Sequence, residues 1–217
     1  MIVRWLGRVR FAEAFALQEE IVARKIADAG ADDELLLLEH EPVYTIGRTP
    51  DQSSLLDAAR LPHPVVQINR GGQATYHGPG QLVGYPILDL NPRGRDLHRY
   101  LRALEELLIV ALAEFGIEGV RRDGLTGVWV GGKKIASIGV GVRRWVSMHG
   151  FALNVCGDLA PFGNITPCGI AGVEMTSVER ECGDAVNVEM VARRVGGIFA
   201  KTAGLGTRGP WLPAQLS

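Results

Sequence analysis

Three strand-like runs follow one another between Gly127 and Val155 with almost nothing between them. Residues 127–130, 134–142 and 145–155 are rich in Val, Ile and aromatic side chains, and their only breaks are Gly131-Gly132-Lys133 and Arg143-Arg144. Breaks that short leave no room for a crossover helix, so consecutive strands must run antiparallel as a meander. Upstream, residues 35–39, 43–46, 65–69 and 83–90 also read as strands, the first two lying either side of Pro42.

Helical periodicity is confined to a few places. Residues 10–29 put Phe11, Phe15, Val22 and Ile26 near one face, with Gly30 as a stop. Asp96 is placed to cap a helix that ends at Phe115-Gly116, with Leu97, Leu101, Leu104, Leu108, Leu112 and Phe115 on its apolar side. Residues 187–203 form a last helix, weakened by Gly196-Gly197, and the Gly- and Pro-rich tail 204–217 reads as irregular. Strands in blocks between few helices predict an α+β fold, a mixed sheet flanked by helices, rather than a regular βαβ array. No linker-like stretch justifies a cut, so residues 1–217 are expected to form one domain.

Charge and cysteine usage narrow the setting. The 23 Lys+Arg against 24 Asp+Glu give a net charge of −1, without the basic excess of a nucleic-acid binder. No apolar run approaches the roughly 18 residues needed to span a bilayer: Leu35–Leu38 is ended at once by Glu39. The N-terminus lacks a signal-peptide core. Cys156, Cys168 and Cys182 are an odd set with no C-x-x-C, which suits a reducing cytoplasm better than disulfides or zinc. The histidines show no metal-ligand spacing.

Four stretches can carry chemistry. Arg70-Gly71-Gly72-Gln73-Ala74-Thr75-Tyr76-His77, continuing to Gln81, combines close backbone approach with a set of side-chain donors; a tight structural loop would look the same. Residues 127–133 match G-x-x-x-x-G-K, but Lys134 stands where a phosphate-binding loop needs Ser or Thr, and Val128-Trp129-Val130 reads as strand. What remains is Lys134, followed by Ile135, Ala136, Ser137, Ile138 and Gly139. On a strand, Lys133 and Lys134 face opposite sides, and one of them can serve a cleft instead of solvent. Met148-His149-Gly150-Phe151-Ala152-Leu153 offers a base or a structural histidine, with Phe151 and Leu153 as pocket wall or core. In Pro167-Cys168-Gly169, finally, a cysteine sits in a constrained loop. A loop cysteine beside a cation can act as a nucleophile. Cys156 ends an apolar run, and Cys182 lies among acids, where a thiolate is disfavoured.

Taken together, the four stretches resemble the lipoyl(octanoyl) transferase family in residue identity, order and approximate spacing over most of residues 1–185. The resemblance implies the biotin and lipoate ligase catalytic fold. It implies transfer of an octanoyl group from octanoyl-acyl carrier protein to a lysine of lipoyl domains, those of the 2-oxoacid dehydrogenases and the glycine cleavage H protein. It also implies that Cys168 carries the acyl group as a thioester and that Lys134 favours the Cys168 thiolate. The substrate-contacting positions it implies are Arg70, Gly71, Gly72, Gln73, Ala74, Thr75, Tyr76, His77, Ser137, Ile138, Gly139, Gly150, Phe151 and Ala152. Because the donor is already a thioester, no cofactor, metal or nucleotide is expected, and no nucleic acid or membrane partner. Backbone N–H groups near Gly72 or Cys168 are candidates for holding an oxyanion. Two other readings stay open: an ATP-dependent lipoate or biotin ligase, which needs no Cys168, and a non-catalytic lipoyl-domain binder, which tolerates loss of both Lys134 and Cys168.

Overall fold

Four consecutive leucines set up the two faces of the main sheet. The computed structural model describes residues 1–204 except Thr49 and Ala171, with backbone only at 203 and 204. In strand β2 (Glu34–His40) Leu35 and Leu37 join one apolar cluster, Leu36 and Leu38 another, and all four are buried. A strand alternates its side chains, so an unbroken apolar run means that both faces are covered. Each buried leucine contributes about 1.5–3 kcal/mol.

The covering helices are α1 (Phe11–Ala27) on one face and α2 (Leu97–Ala113) with α4 (Val188–Gly204) on the other; α3 (Val178–Cys182) is a single short turn. Strand β1 (Ile2–Val9) pairs in parallel with β2, and β2 pairs antiparallel with β6 (Gln81–Ile87). The sheet continues antiparallel through β10 (Val146–Asn154), β9 (Lys133–Arg143), β8 (Leu125–Val130) and β7 (Val120–Arg122). A second sheet holds β3 (Val43–Ile46) between β4 (Val65–Gln67) and β5 (Thr75–His77).

The meander forms as expected, and so does the helix capped by Asp96, whose carboxylate accepts the Arg99 N–H at 3.0 Å. Three strands were not anticipated: β1, whose arginines interrupt its apolar pattern; the short β5, inside the Gly-rich stretch; and the short β7. The second hairpin turn is Arg144-Trp145, not Arg143-Arg144, because Arg143 pairs with Val146 and both turn residues have positive φ. The buried stripe of α1 includes Gln18 and Lys25. Gln18 Oε1 accepts the His149 N–H at 2.8 Å, and Lys25 meets Asp33 at 2.8 Å, which account for the Gln18 oxygen and the Lys25 ammonium being inside. Gly196 is also a contact point: a Cβ there would lie 2.9 Å from Val3 Cγ1. The expected irregular tail lies, beyond residue 204, outside the described residues.

Candidate active site

Lys134 is the second residue of β9 and is 1% exposed. The strand start is gripped from outside the hairpin: the Lys134 N–H donates to Glu174 O at 2.8 Å, and the Thr176 N–H donates to Lys134 O at 3.0 Å. Alternation sends the Lys133 side chain outward, 49% exposed, with its ammonium 3.9 Å from Glu174. Lys134 Nζ lies inside, 3.0 Å from Cys168 Sγ, 3.0 Å from Thr126 O and 5.2 Å from the centre of the Trp129 ring.

Cys168 occupies a tight turn, Pro167–Gly169, with φ +57°. That left-handed conformation is uncommon for a side chain with a Cβ and needs external support. The Cys168 N–H donates to Ala74 O at 3.1 Å, and Ser54 links the same turn to the Gly-rich loop: its carbonyl accepts Thr166 N–H and its hydroxyl accepts Ala74 N–H. The Cys168 N–H is therefore already engaged within the protein. Gly72 N–H has no internal partner among the described residues and stays a candidate.

Both residues border a cavity of about 510 Å³, within the usual range for small-ligand sites. Phe11, Ile68, Val83, Leu97, Leu101, Leu125, Val140 and Ile170 give it apolar wall. Arg70 is buried beside it and donates to Gly71 O, Thr45 O, Thr45 Oγ1 and Gln73 O at 2.8–3.2 Å. Burial lowers the Arg70 pKa, opposed by the nearby Cys168 sulfur and Tyr85 oxygen. Among the described residues neither Arg70 nor Lys134 pairs with a carboxylate, and no Asp or Glu lines the cavity. Two cations without a counter-charge in a low-dielectric wall form an environment for an anion.

Arg70, Gly71, Gly72, Gln73, Thr75, His77, Ser137, Ile138, Gly139, Gly150, Phe151 and Ala152 all border this cavity. Ala74 and Tyr76 do not. Alternation along β5 turns Tyr76 to the opposite side, and Tyr76 and Ala74, which just precedes the strand, both join the cluster containing Tyr44 and Phe162. Leu153 likewise belongs to the core and not to the wall. Ser137 Oγ lies 3.9 Å from Cys168 Sγ. Cys156 is partly buried, and burial, with Glu179 and Glu39 nearby, raises its thiol pKa. The Thr126 carbonyl and the α2 leucines were not anticipated. A backbone carbonyl leaves no mark in a sequence, and helix periodicity does not say which leucines face a cavity.

A connected polar layer backs the cavity. Asn154 accepts from Gln81 at 2.9 Å, Gln81 Oε1 accepts from His77 Nδ1 at 2.8 Å, and His77 Nε2 meets the Thr45 hydroxyl that Arg70 also touches. Tyr85 lies 2.7 Å from His40 Nε2. Burial lowers all three imidazoles from their ordinary 6.5: His40 to about 4, His77 to about 3 and His149 to about 4. Neighbouring cations and histidines add to the effect at His77, as Arg70 does at His149. They are thus neutral at pH 7. Between about pH 6.5 and 4 the unfolded chain holds protons that the folded chain refuses, so stability falls as pH drops through that window, by up to about 1.4 kcal/mol per unit for each histidine. Urea midpoints measured from pH 7.5 to 4.5 should decline steadily below 6.5. A flat profile would contradict neutral burial.

The chain shares its fold with lipoate and biotin protein ligases. A bipartite lipoate protein ligase from Thermoplasma acidophilum superposes with a TM-score of 0.70 at 16% identity, over 94% of this chain and 83% of that one. The biotin protein ligase of Aquifex aeolicus gives 0.58 at 11% identity, over 97% and 72%. The lipoyl protein ligase A/B catalytic-domain model matches residues 10–200, and the chain belongs to that family. Within it, an octanoyltransferase from Geobacter sulfurreducens is 57% identical over 195 residues, 90% of this chain and 81% of that protein.

Proposed function

We propose that the chain is an acyltransferase that moves an octanoyl group from octanoyl-acyl carrier protein to the target lysine of lipoyl domains, through a thioester on Cys168. The observation that carries the reading is the 3.0 Å contact between Lys134 Nζ and Cys168 Sγ beside an acid-free cavity with apolar walls. The Lys134 ammonium favours the thiolate, the nucleophilic form. The thiolate attacks the donor carbonyl; a C–S bond forms, the carrier's C–S bond breaks, and the carrier leaves as a thiol after taking a proton. Gly72 N–H, Arg70 and Lys134 are the groups available to stabilise the tetrahedral oxyanion. The carrier then departs, and a neutral lysine amine of the lipoyl domain attacks the same carbonyl. An amide forms, Cys168 leaves as a thiolate, and the surplus amine proton passes to solvent.

Splitting the transfer lets two protein substrates use one site in turn. One catalytic domain supports both half-reactions, and a reducing compartment such as the cytoplasm keeps Cys168 a thiol. The 57% identity to an octanoyltransferase favours this reading over the ATP-dependent one. The separating experiment is transfer from octanoyl-acyl carrier protein with every nucleotide removed. Full activity is expected, and an absolute ATP requirement would sink the reading. The same assay measures chain length. Each methylene withdrawn from the apolar wall costs up to about 0.8 kcal/mol, roughly fourfold. A butanoyl donor should therefore react at least tenfold less efficiently than octanoyl; equal rates would mean that the cavity does not read the chain.

A further inference from the structure

Glu105, on α2, is a carboxylate with no exposed surface. Its Oε2 is held by Arg102 at 2.7 Å and Arg121 at 3.2 Å, both partly exposed. Its Oε1 turns the other way and accepts the Gly127 N–H at 3.0 Å. That N–H belongs to the same planar peptide as the Thr126 carbonyl, and the Thr126 carbonyl accepts Lys134 Nζ at 3.0 Å. The line runs carboxylate, peptide N–H, peptide C=O, ammonium, Cys168 sulfur. The peptide dipole lies between opposite charges in the favourable sense, positive end toward Glu105 and negative end toward Lys134.

The peptide is also pressed against the lysine. Gly127 has φ +126°, and a Cβ there would stand 2.5 Å from Ala136 O and 2.8 Å from Lys134 Cε. Only glycine fits, so the Thr126 carbonyl has little freedom apart from rotation of its peptide plane. Glu105 removes that rotation. A buried carboxylate that served only to join α2 to β7 would need Arg121 and not the strand amide.

We propose that Glu105 is a positioning residue for the acyl-transfer site: through the Thr126–Gly127 peptide it fixes the carbonyl that holds the Lys134 ammonium on Cys168. The proposal rests on the reading of Lys134 and Cys168 given above. Glu105→Gln keeps the volume and an acceptor oxygen but removes the charge, and charge-assisted hydrogen bonds are about twice as strong as neutral ones. Arg102 and Arg121 can then turn to water.

The test is the pH profile of iodoacetamide alkylation of Cys168, mapped by peptide mass, in wild type, Glu105→Gln, Lys134→Met and the double variant. Glu105→Gln is expected to slow alkylation at pH 7 about fivefold and to move the profile to higher pH. In the Lys134→Met background it should change the rate less than twofold, because residues that act in series are not additive. A wild-type profile for Glu105→Gln, while Lys134→Met is displaced, overturns the relay and leaves the reading of Lys134 intact. Equal effects in both backgrounds overturn it as well. An undisplaced Lys134→Met profile overturns the reading of Lys134, and the relay with it. Should Glu105→Gln fail to fold, Glu105→Asp keeps the charge for both arginines but falls one methylene short of Gly127. It should show the same displacement, and a wild-type profile there is equally fatal.

Discussion

Cys168→Ala is expected to lower octanoyl transfer to the lipoyl lysine by a factor of roughly 10⁴ or more, with the fold intact. The size follows from removing the enzyme's own proposed nucleophile; nucleophile deletions in covalent enzymes have effects of this order or larger. The alanine is smaller than the thiol and sits in a partly exposed turn held by backbone bonds to Ala74 and Thr166, so little stability is at stake. Steady-state transfer measures the loss, and an unchanged thermal midpoint separates chemistry from folding. Retention of more than a few per cent of activity would remove Cys168 from the reaction and revive the ligase reading.

Lys134→Met is expected to lower the rate less than that but still severely, about a hundredfold or more at pH 7. Methionine retains most of the apolar stem beside Trp129 and deletes the charge. Two effects combine. An ammonium 3.0 Å from the sulfur stabilises negative charge on it. A charged donor directed at the tetrahedral intermediate contributes roughly another 10² in similar sites. The first effect can be recovered by raising the pH; the second cannot. Lys134→Met should therefore regain part of its acyl-enzyme formation rate at higher pH and then level off below wild type. Lys133→Met, on the exposed side of the same strand, should change the rate less than twofold. Full recovery at high pH would confine Lys134 to thiolate formation, and no loss at pH 7 would exclude it from the site.

How far the sequence carried these conclusions depends on the range of the interaction. Local patterns were legible: the meander, the Asp96 cap and the 17-residue helix behind it all follow from spacing within a few residues. Failures came where a distant partner decided the outcome. Strand β1 looks too charged to be a strand, but it lies at a sheet edge, where its arginines can pair with Glu34 and Glu39. Gln18 looks out of place on a buried stripe until the His149 N–H, 131 residues away, is brought onto it. The site divides in the same way. Cys168 and Lys134 stood out as residue types in unusual contexts, and motif resemblance linked them, but nothing in a separation of 34 residues states that they touch. Ala74 and Tyr76 share a motif with residues that border the cavity and still face away from it, because motif membership does not record strand alternation. Glu105 reads as one more charge on an amphipathic helix. Its meaning lies in the Gly127 amide, 22 residues away, which sequence does not display.

The claim on which the account depends is that the acyl group rests on Cys168 between two encounters. The direct measurement is intact mass of the enzyme after a short incubation with octanoyl-acyl carrier protein, removal of the carrier, and addition of an apo lipoyl domain. The account predicts one octanoyl adduct per chain, labile to hydroxylamine and mapped to the peptide containing Cys168. The adduct should disappear as the same amount of octanoyl-lysine appears on the lipoyl domain. An adduct on Cys156 or Cys182, an adduct that the lipoyl domain cannot discharge, or transfer at full rate with no adduct formed would contradict it.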